Sequence, residues 1–317
     1  MLNRLYIVGV VLSHHPLYTR FAFNRLEDDM PLFAKIRALL EMIKFSHTIF
    51  AFPFALTGAT LAGLANDQFP TLLQIVWICL AMVGARSAAM GLNRIIDARI
   101  DAQNPRTASR HIPAGVVTKV EAWFFVFAAT ALLLLAAWQL NPLCLKLSPL
   151  ALFFLVLYSF CKRFTSMAHL ILGVCLAAAP IGAWIALRGD IGWPALVLGL
   201  GVLFWVAGFD IFYALQDMEF DREAGLYSLP SRLGATRSIQ LARLFHLAMV
   251  VLLFSLVAMP GLGLIYLLGM LLVCGLLIYE HRLVRADDLS RLDAAFFNMN
   301  GYISVTIFVF TLADALL

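Results

Sequence analysis

The chain has 317 residues, of which 62% are hydrophobic and 13% charged, with 23 basic and 19 acidic side chains giving a formal net charge of +4. Soluble domains carry roughly 45–50% apolar and about 25% charged residues, so a soluble globular fold is excluded and an integral membrane protein is indicated. The basic residues are scattered among loops and form no stripe, which argues against a nucleic-acid partner and for a lipid bilayer as the surrounding solvent.

Residues 1–34 read as an N-terminal extension of uncertain role. The stretch "RLYIVGVVLSHHPLYTR" has a short apolar run but no small-residue cleavage site, so it does not fit a signal peptide. Residues 35–317 read as a single transmembrane domain. Apolar runs near the ~20 residues needed to cross a bilayer fall at 46–65, 71–92, 120–140, 147–160, 167–187, 191–213, 241–259, 261–279 and 302–317. The expected fold is therefore all-α, a bundle of nine transmembrane helices. Pro53 and Pro180 fall inside such runs and predict kinks.

The loops test this count, because cytoplasmic loops collect Lys and Arg. One alternate set holds Lys35, Arg37 and Lys44, then Arg94, Arg99, Arg106, Arg110 and Lys119, then Lys162 and Arg163. It continues with Arg222, Arg232, Arg237 and Arg243, and ends with Arg282, Arg285 and Arg291, while the opposite set holds only Lys146 and Arg188. The partition puts the N-terminus and the long loops in the cytoplasm and the C-terminus outside. The expected location is a cytoplasmic (bacterial inner) membrane, with function at the cytoplasmic face.

Two of those loops carry acids in register. In "GARSAAMGLNRIIDARIDAQNPRTASR", Arg86, Met90, Asn93, Asp97 and Asp101 are separated by four, three, four and four residues, which is one stripe on a helix. In "DIFYALQDMEFD", Asp210, Tyr213, Asp217 and Asp221 are separated by three, four and four. The same layout 120 residues apart predicts pseudo-repeated halves with two acidic stripes facing one cavity. Paired carboxylates on facing helices suit Mg²⁺, which uses few protein carboxylates and completes its shell with water and substrate phosphate oxygens. Lys162, Arg163, Arg106 and Arg110 lie on the same side and could hold the remaining phosphate charge. The competing reading is that these acids are interfacial charges paired with neighbouring arginines. Two matching arrays, each leading to a polar residue at membrane depth, Arg86 and Asp210, favour a functional site.

These motifs resemble the UbiA superfamily of intramembrane prenyltransferases. "NRIIDARID" fits that family's NxxxDxxxD motif, "NPRTASRHIPAG" the basic segment after it, "DIFYALQDMEFD" the second aspartate motif, and "YSFCKRFT" the YxxxK pattern. The resemblance runs from about residue 35 to the end and is greatest to the 4-hydroxybenzoate polyprenyltransferase-like branch, which also includes enzymes acting on dihydroxynaphthoates of menaquinone synthesis. It implies that Asn93, Asp97, Asp101, Asp217 and Asp221 bind two Mg²⁺ bridged by the diphosphate of a polyprenyl donor. Lys162, with Arg163 as a second candidate, would hold the departing diphosphate, and Arg86 would meet the carboxylate of a hydroxylated aromatic acceptor. Tyr158 and Asp210 would lie near the reacting carbon, Tyr158 stabilising an allylic cation through its ring face and Asp210 either orienting or deprotonating the phenol, or serving only as a helix-end charge. One departure stands out: where many relatives have lysine after the second motif, this chain has Tyr227, with Arg232 the nearest base.

The remaining polar residues carry weaker signals. Cys79, Cys144, Cys161, Cys175 and Cys274 fall singly and read as small buried side chains. His47, His111, His169, His246 and His281 are too dispersed for a ligand motif, and Lys44 reads as a topology anchor or a diphosphate ligand. A function of another class, a transporter with Arg86 and Asp210 lining its path, would more often show broken helices at the bilayer midplane in both halves.

Overall fold

A computed structural model describes residues 32–43, 52–285, 289, 292 and 298–317. Most of the N-terminal extension, Lys44, His47, the start of the first expected span and most of "RADDLSRLD" lie outside the described residues. The described helices are α1 (Leu32–Met42), α2 (Phe52–Leu64), α3 (Leu72–Asp101), α4 (Lys119–Leu140), α5 (Pro142–Cys161) and α6 (Ala168–Arg188). They continue with α7 (Trp193–Ala214), α8 (Met218–Glu223), α9 (Leu229–Ser255), α10 (Leu264–Leu283) and α11 (Asn300–Leu316). Among the described residues there is no strand.

Local chemistry sets several of these boundaries. Thr71, Thr118 and Ser228 each accept from the backbone N–H three residues on, and the residue there returns a bond to the cap, so α3, α4 and α9 begin on reciprocal caps. Asn141 caps α5 just before Pro142, whose fixed φ and missing N–H suit the first helical position. Gly189 ends α6 at φ 68°, a conformation that side chains with a Cβ resist.

Seven described helices are long and apolar enough to cross a membrane, while α2 and α11 are apolar but shorter. Their outer faces are oily: Phe124, Phe127, Trp138 and Phe153 are exposed, as lipid-facing side chains are. The interior gathers Phe54, Trp205, Met249, Leu253 and Tyr266, all fully buried. In the chain of neighbours α3 packs on α4 and α5, α5 on α6, α6 on α7, α7 on α9, α9 on α10, and α10 on α11. α2 lies inside this arc against α6, α7 and α11. With lipid as apolar as leucine, such contacts depend on close approach. At Gly84 of α3 a Cβ would stand 2.7 Å from the Leu133 nitrogen and 2.8 Å from the Ala129 carbonyl oxygen of α4.

Three boundaries differ from expectation in ways that matter for the site. α3 does not stop near residue 92 but runs 30 residues to Asp101, carrying the first acidic stripe on one rigid helix. The second stripe is not a continuous α-helix: α7 ends at Ala214, Leu215–Asp217 form a 3₁₀ turn, and Asp221 sits on α8. A 3₁₀ turn has 3.0 rather than 3.6 residues per turn, so the α-helical period does not by itself place Asp217 and Asp221 relative to Asp210 and Tyr213. α9 starts at Leu229, well before the expected 241, with a break at Gly234, φ 78°. Pro180 lies inside α6 as expected, with the Gly58 backbone of α2 packed against it, while Pro53 is the second residue of α2, where no helical N–H is required.

Candidate active site

The end of α3, the 102–118 connection, the end of α5 and the α7–α8 corner converge, and each aspartate of the two motifs meets a base. Asp97 accepts from Arg163 Nη2 at 3.1 Å and from Asn93 Nδ2 at 2.8 Å. Asp101 accepts from Arg110 Nη1 at 2.6 Å, with Arg94 Nη1 3.9 Å from its other oxygen. Asp217 accepts from Arg106 Nε and from Asn104 Nδ2, both at 2.8 Å, and its second oxygen takes Arg106 Nη2. Lys162 Nζ lies 3.8 Å from Asp221 Oδ2.

These carboxylates are buried: Asp101, Asp217 and Asp221 are no more than 6% exposed. Unpaired, such charges would be expensive in a low-dielectric site, and the four bases offset that cost. Compensation is incomplete, because Oδ2 of Asp101 and Oδ2 of Asp221 are buried without a hydrogen-bond donor. These orphaned carboxylate oxygens, like the side-chain oxygens of Asn93 and Asp97, are hard donors, which fit Mg²⁺ sharing its shell with phosphate oxygens. No three acidic, His or Cys side chains among the described residues converge tightly enough to hold a metal alone. A set that relies on substrate oxygens needs no such cluster.

Arg106 is the hub of the second array. Its Nη1 donates to the Tyr213 hydroxyl at 3.0 Å, its guanidinium lies 5.2 Å from the Tyr213 ring centroid, and its backbone N–H donates to Asn104 Oδ1 at 3.0 Å. Burial works to lower the pKa of this guanidinium, but the hydrogen bond and charge of Asp217 outweigh it and raise the pKa above the usual arginine value. Arg163 also donates to the Ile96 carbonyl at 2.7 Å, which fixes the end of α5 against α3.

Deeper in the bundle Arg86 is placed differently. Its Nε is buried without a hydrogen-bond partner, and no carboxylate among the described residues pairs with it. Tyr158 on α5 stands within electrostatic reach of Asp210 and Asp97, which links the first stripe to the second. Tyr227, where relatives with lysine would place a base, donates its backbone N–H to the Lys162 carbonyl at 2.7 Å and offers its ring to Arg232 at 4.1 Å. Its position therefore supports the backbone of Lys162.

The structure adds residues that the sequence did not single out. Asn104 reaches Asp217 across 113 residues. Arg94, counted as a loop charge, is 6% exposed and donates Nε to the Met42 carbonyl at 3.4 Å. His169, one of the histidines too dispersed in sequence for a ligand motif, is fully buried with Nδ1 2.6 Å from Asp210 Oδ2. His246 and His281 also meet, at 3.0 Å, and His246 Nε2 lies 3.2 Å from the Trp205 carbonyl oxygen. No spacing rule anticipates these pairs, since the partners sit on different helices.

The profile of the UbiA prenyltransferase family matches residues 51–302. The 4-hydroxybenzoate octaprenyltransferase of Nitrosospira multiformis is 30% identical over 253 residues, covering 80% of this chain and 87% of that protein. The protein of the same name from Vibrio cholerae is 31% identical over 245 residues, covering 77% and 85%. Among solved structures, an apo UbiA homologue from Aeropyrum pernix superposes with a TM-score of 0.76 at 34% identity, over 85% of this chain and 98% of that one. A homologue from Archaeoglobus fulgidus bound to DMAPP and Mg²⁺ shares the fold, with a TM-score of 0.69 at 19% identity over 88% and 99%. The curated relatives are enzymes, which removes the transporter alternative.

Proposed function

Because this chain belongs to the UbiA prenyltransferase family, we propose that it is a Mg²⁺-dependent enzyme transferring a polyprenyl group from polyprenyl diphosphate to a ring carbon of 4-hydroxybenzoate, in ubiquinone synthesis. The observation that carries this reading is the meeting of two acidic segments in which each of Asp97, Asp101, Asp217 and Asp221 faces its own base. Such an array is charge-balanced at rest. It can open to admit a metal–diphosphate pair, with the bases passing from carboxylate to phosphate oxygens.

Asn93, Asp97, Asp101, Asp217 and Asp221 would hold the metal, and Lys162, Arg163, Arg106 and Arg110 would engage the diphosphate. Tyr213 steadies Arg106. When bound, Mg²⁺ supplies positive charge to the departing diphosphate. The prenyl C–O bond breaks with its electron pair leaving on the diphosphate, and Lys162 with the arginines stabilises that charge. The ring face of Tyr158 attracts the allylic cation. The aromatic ring carbon ortho to the hydroxyl forms the new C–C bond and loses its proton to a base. Arg86, a buried cation with an open Nε, takes the acceptor's carboxylate, and Asp210 meets its hydroxyl. The isoprenoid tail lies among the helices and leaves sideways into lipid. We further infer nine crossings in pseudo-repeated halves with the site facing the cytoplasm, supported by the two short apolar helices and the loop-charge partition.

The test is transfer of labelled geranyl diphosphate by purified protein with Mg²⁺, offering 4-hydroxybenzoate or a dihydroxynaphthoate. Product with 4-hydroxybenzoate supports the proposal, product with the naphthoate alone moves the acceptor to menaquinone synthesis, and no product from folded protein ends it.

A further inference from the structure

His169 is the second residue of α6, Asp210 lies one turn before the end of α7, and Leu229 opens α9. The imidazole joins all three: Nδ1 is 2.6 Å from Asp210 Oδ2, and Nε2 accepts the Leu229 N–H at 3.3 Å. His169 is fully enclosed, whereas Asp210 keeps 15% of its side chain exposed. Among the described residues this is the only hydrogen bond that the Asp210 carboxylate makes.

The partners settle the tautomer. A backbone N–H can only donate, so Nε2 must present its lone pair and cannot carry a proton. Nδ1 is then the protonated nitrogen, and it donates to Asp210. An imidazolium would set two donors against each other at Leu229, and it would stand at the positive end of α6, where cations are disfavoured. For the same reason His169 cannot relay a proton taken up by Asp210, because its far nitrogen leads only to a backbone amide.

We propose that His169 is a neutral positioning residue, anchoring one oxygen of Asp210 through Nδ1–H so that the other is presented to the hydroxyl of the aromatic acceptor. This rests on the assignment of Asp210 to the acceptor hydroxyl made above. The anchor also ties Asp210 to the first turn of α9, directly after the segment whose Tyr227 holds the Lys162 carbonyl. Acceptor orientation and diphosphate grip thus share one structural support.

The chemistry makes glutamine the informative substitute. In His169→Gln the side-chain NH₂ can donate to Asp210 and the carbonyl oxygen can accept from Leu229, but no proton can be carried. In His169→Ala both bonds are lost. Misplacing a reacting group by about 1 Å costs up to ~100-fold, so His169→Ala should lose about 10- to 100-fold in kcat with KM for the prenyl diphosphate unchanged. His169→Gln should recover most of that loss. Asp210→Asn should be as impaired as His169→Ala, and the double variant no worse than Asp210→Asn. Full activity in His169→Ala, or a His169→Gln protein that folds yet is as impaired as His169→Ala, would overturn the proposal.

A second measurement needs no turnover. Nitrogen-15 spectra of selectively labelled histidine, assigned by comparison with His169→Gln, should show a neutral Nδ1–H tautomer at His169. A protonated or Nε2–H ring would overturn the proposal even if every variant were active. Should the wild-type chain prenylate no aromatic acceptor, the function assigned above fails, and these spectra still decide whether His169 is the neutral donor to Asp210.

Discussion

Arg106 grips Asp217 with two nitrogens, Nε on one carboxylate oxygen and Nη2 on the other, from a position 111 residues earlier in the chain. A planar guanidinium does this and an ammonium cannot. Arg106→Lys should therefore raise KM for the prenyl diphosphate about 10-fold, as the fork that would move from carboxylate to phosphate is lost. Steady-state kinetics with varied donor at saturating Mg²⁺ check this.

Asp217→Ala and Asp97→Ala should each reduce turnover by about 100-fold or more, the cost typical of removing an electrostatic stabiliser of departing charge. Chelation with EDTA should stop the wild-type reaction, and added Mg²⁺ should restore it. Asp97→Asn, which keeps an oxygen donor but removes the charge, should need a higher Mg²⁺ concentration for half-maximal rate. An unchanged Mg²⁺ titration would remove Asp97 from the metal set.

Arg86→Met should raise KM for an aromatic carboxylate about 10-fold or more while leaving KM for the donor within about twofold, since a lost charged hydrogen bond costs ~1.5–3 kcal/mol. The sharper comparison uses a phenol lacking the carboxylate. Wild type should discriminate against it and Arg86→Met should not. Equal effects on donor and acceptor would place Arg86 on the diphosphate instead.

Tyr158→Phe keeps the ring face and should retain most activity, whereas Tyr158→Ala removes it and should cost about 10-fold in kcat, in line with ~1–2 kcal/mol for a desolvated cation–π contact. If the phenylalanine variant is as slow as the alanine one, the hydroxyl matters and the ring-face role is wrong.

Gly84→Val tests the packing that presents the stripe. With the Leu133 and Ala129 backbone within 2.8 Å of any Cβ, α3 and α4 must separate, which costs about 1–3 kcal/mol. A Tm lower by several degrees in detergent is expected, with binding of neither substrate at fault. An unchanged Tm would mean that α4 yields freely.

The first stripe was legible because Arg86, Asn93, Asp97 and Asp101 lie on α3, where spacing alone fixes the shared face. The same rule does not carry across the second stripe, because the chain leaves α-geometry at Leu215–Asp217 and nothing in "ALQDMEFD" marks that tightening. Arg94 reads as a loop charge in the sequence because the Met42 carbonyl that it binds lies on α1, 52 residues earlier, while Asp101 lies two turns further along α3.

By itself the sequence determined the membrane class, most of the spans, the one-sided distribution of charge and the two aspartate motifs, since each depends on composition or on the local period of a helix. Only the tertiary structure decided which base meets which acid, that Asn104 and Arg106 share Asp217, and that His169 holds Asp210. The physical reason is that helix geometry is local, while contact between helices in lipid depends on close approach at positions such as Gly84, which apolar patterning does not encode.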